Sequence, residues 1–379
     1  MSRLITGAGA VVSVGDGVEA MFRALCAGTS GINEIRGFDR TRYRARHAYE
    51  IDDRAGGGDE PGRATRWLLR AVEEAAAQAG LGDDLSGVPV LVGTGLRELR
   101  SAELAHRDGI AFDMDRMHFG TALRERFGAD RTYTVAGACS ASLHALAMGG
   151  DLLDAGVADT VVVAGVDTIT ESMYGLVDRV HLEPPVRVQP FDRARRGVLM
   201  GDGAAAVVLR REETAAAPAA LGRLCAVSMN CDAHHVTAPD ARGIAEAVRE
   251  AQWKAGVKPR DVDLVMLHGT GTVLNDEAEA AAIAEVFGDD AGGPLMTAVK
   301  SMTGHTSGSS GLVSLIVALK AMETGQVPPT TGLTDPVPEA AGFRFATGEV
   351  RGADIGVAQI GAYGFGGVNA VAIVERTGR

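Results

Sequence analysis

The chain has 379 residues, of which 46% are hydrophobic and 23% are charged, and its formal net charge is −12. This composition is typical of a folded globular protein and argues against disorder, collagen-like repeats and a coiled coil. The acidic balance disfavours general binding to nucleic acid or anionic lipid, which require a basic face. No apolar run approaches the ~20 residues of a membrane helix, and the first residues lack a signal-peptide pattern, so we expect a cytoplasmic protein.

Three landmarks occur twice in the same order, which indicates an internal duplication. Each set consists of an apolar strand ending in Gly-Thr-Gly, a run of very small residues that opens a helix, and a Gly-rich turn that precedes a buried strand. The first set lies at residues 90–95, 137–142 and 201–209, and the second at 265–271, 304–311 and 364–374.

The duplication predicts an α/β protein of two similar halves packed in five layers. We place the N-terminal half at residues 1–213 and the C-terminal half at 221–379, joined by the Ala-rich segment 214–220. The continuously apolar stretch 160–165 is typical of a strand covered on both faces. Amphipathic stretches such as 65–79 predict the covering helices.

Cys139 lies where a predicted strand gives way to a helix, and its neighbours are Gly, Ala and Ser. A thiol at a helix N-terminus lies at the positive end of the helix dipole, which lowers its pKa and increases the thiolate fraction. The small neighbours leave room for a substrate. The pattern favours a nucleophile, and the alternative is a buried structural cysteine.

Two histidines occupy corresponding places in the predicted C-terminal half. His268 directly follows an apolar strand, and His305 lies in the small-residue run that duplicates the surroundings of Cys139. Open α/β sheets bind ligands at the carboxyl ends of their strands. A cysteine with two histidines suits acyl transfer, in which a thiolate attacks and imidazoles donate to a developing oxyanion. The alternative for each histidine is an ordinary polar loop residue.

Lys300 and two carboxylates lie close to the histidines in sequence. Lys300 is one of only four lysines among 37 basic residues, and Asp276 and Glu279 follow His268. A buried lysine paired with a carboxylate would order the histidines electrostatically. The alternative is a surface ion pair that contributes about 0–1 kcal/mol and takes no part in chemistry.

A metal site is not expected. Cys225, Cys231, His234 and His235 are the nearest approach to a zinc set, but the two cysteines lack the usual gap of two to four residues between ligands. We interpret this stretch as strand core followed by a loop that faces the substrate.

These motifs together resemble those of the β-ketoacyl synthases, the condensing enzymes of fatty acid and polyketide synthesis, which have the thiolase-like fold of αβαβα layers. The resemblance extends over nearly the whole chain. The presence of His305 and the absence of any cysteine after Cys231 place the chain with the elongating, free-standing Cys-His-His class. The motifs that carry the resemblance are residues 5–9, 134–143, 190–192, 232–239, 268–279, 300–311 and 364–370.

The resemblance implies a role for each motif. Cys139 would accept an acyl group from an acyl carrier protein or CoA thioester, and His268 and His305 would bind a malonyl thioester and promote its decarboxylation. Lys300, held by Glu279, would position His305. No metal or organic cofactor is implied. The other implied site residues are Asp276 as a support, Gly364, Phe365 and Gly366 as oxyanion hole and gate, and Thr270, Thr272 and Asn369 as substrate contacts.

Some positions depart from the family pattern and leave the substrate open. Val368 and Asp202 stand where the pattern has Thr and Glu, and the segment between Gly95 and Gly137 is short. One alternative is a ketosynthase-like acyltransferase that passes the acyl group to an O or N nucleophile without decarboxylation. Another is a non-catalytic partner subunit of a heterodimer, against which the intact Cys139 argues.

The resemblance also implies a dimer, either a homodimer or a heterodimer with a second ketosynthase-like chain. We expect the strand at 160–166 to pair across its interface. For the acidic carrier protein we expect a docking site on Arg63, Arg66 and Arg70, which share one helical face.

Overall fold

The computed structural model of the chain describes residues 3–54, 56, 58–212 and 220–378. These ranges contain sixteen strands and ten α-helices, together with short 3₁₀ turns. The strands are β1 (Arg3–Val12), β2 (Gly15–Asp16), β3 (Asn33–Glu34), β4 (His47–Ala48), β5 (Val90–Thr94), β6 (Thr132–Ala136), β7 (Thr160–Asp167), β8 (Gly203–Arg211), β9 (Gly222–Cys231), β10 (Leu264–Met266), β11 (Leu295–Thr297), β12 (Gln326–Val327), β13 (Arg344–Phe345), β14 (Arg351–Gly352), β15 (Val357–Gly364) and β16 (Val368–Glu375). The helices are α1 (Val18–Cys26), α2 (Arg63–Gln78), α3 (Leu99–Asp108), α4 (Gly120–Phe127), α5 (Ala141–Asp154), α6 (Glu171–Val180), α7 (Ala241–Ala255), α8 (Val273–Phe287), α9 (Lys300–Thr303) and α10 (Ser310–Thr324).

The strand order is the same in the two parts of the main sheet. The N-terminal part runs β1-β8-β7-β5-β6, and the C-terminal part runs β9-β16-β15-β10-β11 with β13 added at its edge. In both parts the first three strands pair antiparallel and the last ones parallel. The parts join through a short antiparallel pairing of Arg3–Ile5 in β1 with Gly222–Leu224 in β9. This repetition confirms the predicted duplication.

Helices separate and cover the two parts of the sheet. Between them lie α5, which packs on β5, β7 and β9, and α10, which packs on β15 and β8. Outside, α2 covers β1 and β8, and α7 covers β9 and β16. The prediction of layered α/β halves is therefore confirmed. The predicted linker 214–220 lies outside the described residues, apart from Ala220.

The sequence of each helix matches its layer. The central helix α10 is apolar on every side, with Leu312, Leu315, Ile316 and Leu319 all buried, as expected for a helix between two sheets. By contrast, α2 buries one face and exposes the other, as an outer helix does. No helix in the described residues is long and apolar enough to cross a bilayer.

One expectation about the surface is wrong, and a second is wrong in part. The strand predicted to pair across a dimer, β7, is an interior strand that pairs with β5 on one side and β8 on the other. Among the described residues, the edge strand of this part of the sheet is β6, which also exposes Tyr133 and Thr134.

The predicted docking face on α2 is wrong for one of its three arginines. Arg63 is 3% exposed, and its guanidinium is ion-paired with Asp53 and Asp59. Only Arg66 and Arg70 of the three are exposed, and Arg70 is ion-paired with Asp16. Arg63 therefore belongs to a buried charge network that supports the N-terminal half.

Candidate active site

The two parts of the sheet bring three reactive side chains together. One ligand atom from each of Cys139, His268 and His305 lies within 4.8 Å of the other two. Cys139 comes from the turn between β6 and α5 in the N-terminal half. The two histidines come from the loops after β10 and α9 in the C-terminal half. The site therefore exists only because the halves pack face to face.

The nucleophile lies on a tight turn. Ala138, immediately before Cys139, has a φ of +47°, a left-handed conformation that side chains rarely adopt. Behind the turn, Ser140 Oγ donates to the carbonyl O of Gly137 at 2.9 Å, and Ser310 Oγ donates to the carbonyl O of Cys139 at 3.3 Å. These contacts hold the turn in its strained form and fix the position of the sulfur.

His305 contacts the thiol directly. It follows Gly304, whose φ of +66° and closeness to the Tyr49 ring leave no space for a side chain. His305 Nε2 lies 2.9 Å from Cys139 Sγ. Its Nδ1 is buried and has no hydrogen-bond partner in the described part of the chain, so no partner fixes which nitrogen carries the proton. Nε2 can therefore accept a proton from the thiol or donate one to a carbonyl oxygen.

His268 is held by Lys300. The lysine Nζ donates to the carbonyl O of His268 at 2.5 Å and lies 3.2 Å from its Nδ1. Because an ammonium can only donate, Nδ1 accepts, and the neutral ring carries its proton on Nε2. The expectation that Lys300 positions His305 is therefore corrected, since its hydrogen bonds go to His268.

Glu279 and Asp276 fix the backbone around His268. Glu279 accepts the N–H of His268 at 2.6 Å and that of Gly269 at 2.9 Å. Asp276 accepts the N–H of Phe191 at 2.8 Å, a contact that ties the loop before β8 to α8. Both carboxylates are buried. The expectation that Glu279 holds Lys300 is not met by these hydrogen bonds, which go to the backbone at His268 and Gly269.

Burial sets the protonation states. It raises the pKa of the Cys139 thiol to about 11, although the Lys300 ammonium and the N–H groups of Phe365 and Cys139 act against it. The helix dipole was expected to lower this pKa, and burial outweighs it. Burial and Lys300 hold the pKa of both His268 and His305 well below the usual value. The resting site is thus a thiol facing two neutral imidazoles.

The lysine and the carboxylate near His268 influence each other. Burial lowers the pKa of Lys300, and burial raises that of Glu279, while their opposite charges favour the ionised pair. Among the described residues no carboxylate oxygen lies within 4.0 Å of Lys300 Nζ. Glu279 therefore acts on Lys300 through its field and on His268 through hydrogen bonds.

The predicted oxyanion hole and gate lie at the turn between β15 and β16. The N–H groups of Phe365 and Cys139 point at the sulfur, where they favour negative charge. Phe365 is 48% exposed, whereas Cys139 is half-buried. Gly366 donates its N–H to the carbonyl O of Val236 at 2.8 Å, which links the turn to the loop after β9.

Asn369 differs from its expected role as a substrate contact. It is 1% exposed, and its Nδ2 donates to Asn230 Oδ1 and Asp232 Oδ2, each at 3.0 Å. Asp232 in turn donates its N–H to the carbonyl O of Gly367. Asn369 therefore stabilises the gate from behind.

From His268 through Thr270 and Thr272 the chain runs from the buried site to the surface, and we call this stretch the path. Thr270 is buried, Thr272 is half-buried, and their hydroxyl oxygens lie 2.9 Å apart. The next two residues, Val273 and Leu274, are exposed. A linear substrate arm could follow this stretch of increasing exposure and form hydrogen bonds to both hydroxyl groups.

The sequence reasoning missed Asp167. This buried carboxylate, at the end of β7, accepts the N–H groups of Gly95 at 2.8 Å and Leu96 at 2.7 Å. From the other half it accepts the N–H of Gly308 at 2.6 Å, next to the His305 loop. Burial raises its pKa to about 6. The available signal was a carboxylate that closes a strand of otherwise apolar residues.

The arrangement favours proton transfer over metal binding. Cys139, His268 and His305 have ligand-like spacing, but the Lys300 ammonium bonds to His268 and repels a cation. In the described residues, Cys225 and Cys231 do not form a group of metal-ligand spacing with the neighbouring histidines.

Comparison with known proteins identifies the family. Residues 4–215 match the family described as Beta-ketoacyl synthase, N-terminal domain, and residues 221–334 match Beta-ketoacyl synthase, C-terminal domain. The chain belongs to the β-ketoacyl synthase family. It is accordingly a condensing enzyme of the acyltransferase class.

Individual relatives agree over the full length of this β-ketoacyl synthase. It is 30% identical to 3-oxoacyl-(acyl-carrier-protein) synthase 2 of Synechocystis sp., over 97% of this chain and 96% of the relative. It is also 30% identical to the chloroplastic 3-oxoacyl-(acyl-carrier-protein) synthase I of Arabidopsis thaliana, over 97% of this chain and 85% of the relative. Among solved structures, the ishigamide ketosynthase/chain length factor superposes with a TM-score of 0.90 at 30% identity, covering 100% of this chain and 99% of that chain. The thiolase-like fold expected from the sequence is confirmed.

Proposed function

We propose that this β-ketoacyl synthase transfers an acyl group to Cys139 and then condenses it with a malonyl thioester, with loss of CO₂. The observation that carries the proposal is the contact of 2.9 Å between His305 Nε2 and Cys139 Sγ, opposite a His268 whose Nε2–H is free to donate. One imidazole is thereby suited to move a proton and the other to stabilise an oxyanion.

In the acylation step, Cys139 attacks the thioester carbonyl of the acyl donor. His305 Nε2 takes the thiol proton while the sulfur–carbon bond forms, which a thiol with a pKa of about 11 requires. The N–H groups of Cys139 and Phe365 stabilise the oxyanion. The donor's carbon–sulfur bond then breaks, and the departing thiolate takes the proton from His305.

In the condensation step, a malonyl thioester occupies the emptied path. Its carboxylate leaves as CO₂, and the bonding electrons pass into an enolate whose oxygen accepts hydrogen bonds from Nε2–H of His268 and of His305. The enolate carbon attacks the acyl-Cys139 carbonyl, the carbon–sulfur bond breaks, and the β-ketoacyl thioester departs. The Cys139 thiolate takes up one proton from solvent, which restores the resting thiol. An acyltransferase acting on O or N nucleophiles needs no enolate, so the paired histidines favour condensation.

The donor of the acyl and malonyl groups is proposed to be an acyl carrier protein, with CoA as the alternative carrier. The Synechocystis relative is named for the carrier protein, which supports this assignment. The arm would enter past Thr272, where Val273 and Leu274 expose apolar surface. We place the chain in fatty acid or polyketide synthesis.

We further propose a dimer that forms through β6. This edge strand has no neighbour on its outer side in the described residues, and it presents Tyr133 with free backbone groups. It leads directly to Cys139, so a partner there would lie close to the site. The similar ishigamide protein is a ketosynthase/chain length factor, and its name keeps a heterodimer beside the homodimer as an arrangement for this chain. Residues 1–213 and 221–379 remain our proposed division of the chain.

Mass spectrometry of the intact protein tests this function. Incubation with acyl-carrier thioesters of several chain lengths should add one acyl group to Cys139, and malonyl-carrier protein should then remove it with release of CO₂ and a β-ketoacyl product. An adduct that persists with malonyl-carrier protein but clears with amines or alcohols would contradict condensation and favour the O- or N-acyltransferase. Failure of any donor to acylate Cys139 would favour the non-catalytic subunit.

A further inference from the structure

A surface cavity of about 370 Å³ lies in the segment between α6 and β8. It is lined by Val186, Arg187, Gln189, Ala194 and Arg196. None of these residues has a role in the mechanism above. The segment is also one that departs from the family pattern, with Pro184 and Pro185 in tandem.

The cavity adjoins the path to the active site. The backbone nitrogen of Gln189 lies 3.1 Å from the position that a Cβ of Gly271 would occupy. Gly271 separates the two path residues Thr270 and Thr272, and it follows His268 by only three positions, a span of at most ~10 Å of chain. The cavity wall is therefore packed against the outer part of the path.

The cavity has a firm wall. Val188 donates its N–H to the Tyr49 hydroxyl at 3.1 Å, and Gln189 Nε2 donates to the carbonyl O of Gly332 at 3.4 Å. Behind it, the buried Arg195 donates to the carbonyl O of Thr272 at 3.4 Å, which ties this segment to the path. A ligand would thus meet a preformed surface.

Two guanidinium groups at the cavity are available to a ligand. Arg187 is exposed, and no carboxylate lies within 4.0 Å of it in the residues that the structure describes. Arg196 pairs with Glu183 at 3.1 Å, but both side chains are more than half exposed, and such pairs contribute little. An incoming anion could therefore displace Glu183 without exposing a buried charge.

We propose that this cavity binds the phosphate group of a phosphopantetheine arm while its thioester reaches Cys139. The inference rests on the proposed function and names the part of the substrate that this surface recognises. Arginine forms paired, charge-assisted hydrogen bonds to phosphate oxygens, and two of them here line a cavity beside the substrate path. Carrier protein and CoA share this phosphate.

The test compares acyl-phosphopantetheine with acyl-pantetheine, which differ by one phosphate. Wild-type enzyme should acylate Cys139 from the phosphorylated donor with a kcat/KM roughly tenfold higher or more, as expected for hydrogen bonds to a charged group. Arg187→Ala and Arg196→Ala should each remove most of this preference and leave the rate with acyl-pantetheine unchanged. Arg187→Lys, which keeps the charge without the paired geometry, should retain part of it.

Arg193→Ala is the matched control. Arg193 is an exposed arginine in the same segment, paired with Asp335 at 3.4 Å, and it does not line the cavity. It should keep the full preference for the phosphorylated donor. Acyl-carrier protein and acyl-CoA, run with wild type and Arg187→Ala, distinguish the two sources. The natural donor should show the higher kcat/KM and the larger loss.

Several results would overturn the proposal. One is equal use of acyl-phosphopantetheine and acyl-pantetheine by the wild-type enzyme. Another is a preference for the phosphorylated donor that survives in both alanine variants. A third is an equal fall in the rate with both donors in the variants, which would indicate a structural effect. Equal use of both donors leaves Cys139 acylation, and with it the proposed function, intact. No acylation by either donor would overturn both inferences.

Discussion

Each half of the molecule holds the turn after its Gly-Thr-Gly strand with a buried carboxylate, and the two carboxylates act differently. In the N-terminal half, Asp167 accepts the N–H groups of Gly95 and Leu96. In the C-terminal half, Glu279 accepts those of His268 and Gly269. The carboxylate that holds the turn thus comes from the neighbouring strand β7 in the N-terminal half and from helix α8 in the C-terminal half.

The difference lies in the third contact. Asp167 accepts the N–H of Gly308 and so ties the halves together. Glu279 stands in the field of Lys300, which in turn fixes the tautomer of His268. The two halves share a backbone arrangement, but their carboxylates have different functions. Asp167, on the side of the nucleophile, joins the two halves, whereas Glu279, on the side of the imidazoles, acts electrostatically on Lys300.

The largest effect is expected from removal of the nucleophile, which tests whether the N-terminal half supplies the acylated group. Cys139→Ala should lower acylation by more than ~10³-fold, because no other described thiol lies beside the histidines. Intact-protein mass spectrometry after incubation with acyl-carrier protein measures the adduct. Cys231→Ala, which removes an exposed thiol near the gate, is the control and should acylate normally. Acylation of Cys139→Ala at the wild-type rate would refute the assignment of the nucleophile.

The two histidines should separate the half-reactions. His305→Ala should slow acylation by ~10²–10⁴-fold, because the thiol loses its base at 2.9 Å. His268→Ala should leave acylation within a few-fold and slow condensation by ~10²–10³-fold, because an enolate donor is lost. Single-turnover acylation and CO₂ release measure the steps independently. An equal loss of acylation in both variants would contradict the assignment of His305 as the base.

The site itself was accessible from the sequence because its residues lie in dense local motifs. Cys139, His268 and His305 each adjoin the end of a strand or a run of small residues, and a short stretch of sequence is enough to show that pattern. Which histidine Lys300 contacts could not be predicted from the sequence. Lys300 lies much closer in sequence to His305 than to His268, which it follows by 32 residues, so proximity along the chain favoured the wrong partner. Packing decides which side chain the lysine meets, and the folded chain places it on His268.

Burial and strand order also escaped prediction. Arg63 follows the helical spacing of a surface residue, yet it is enclosed by acidic residues from a different segment. The dimer strand was assigned to β7, although its unbroken apolar run indicates an interior strand. The alternation Thr-Tyr-Thr-Val-Ala in β6 was the better sign of an edge. The pKa of Cys139 depends on groups from both halves, which no local pattern contains.

Replacement of Lys300 should have a smaller effect and change the pH profile. Because burial lowers its pKa, Lys300 loses its proton at a lower pH than a free lysine does. A neutral amine can accept as well as donate, so it no longer holds the His268 proton on Nε2. The rate of condensation should therefore fall as the pH rises through about 8, the lowered pKa of Lys300. Lys300→Met should reduce condensation by roughly 10–100-fold and abolish that alkaline decline. CO₂ release between neutral and alkaline pH checks both; an unchanged alkaline limb in the variant would place the titration elsewhere.

The smallest effect on chemistry should come from Asp167, whose part is structural. Asp167→Asn replaces an acceptor of four hydrogen bonds with an amide that accepts fewer, so we expect a loss of about 1–3 kcal/mol in the free energy of unfolding. Because the contact to Gly308 crosses between the halves, acylation should also slow by a few-fold. Asp202→Asn is the control, since that buried carboxylate bonds to Ile51 and Ile169 within the N-terminal half. Denaturant unfolding and single-turnover acylation compare the two. If both variants lose stability but only Asp167→Asn slows acylation, the carboxylate at the end of β7 couples the fold to the position of His305. Equal acylation rates in the two variants would mean that Asp167 contributes to stability alone.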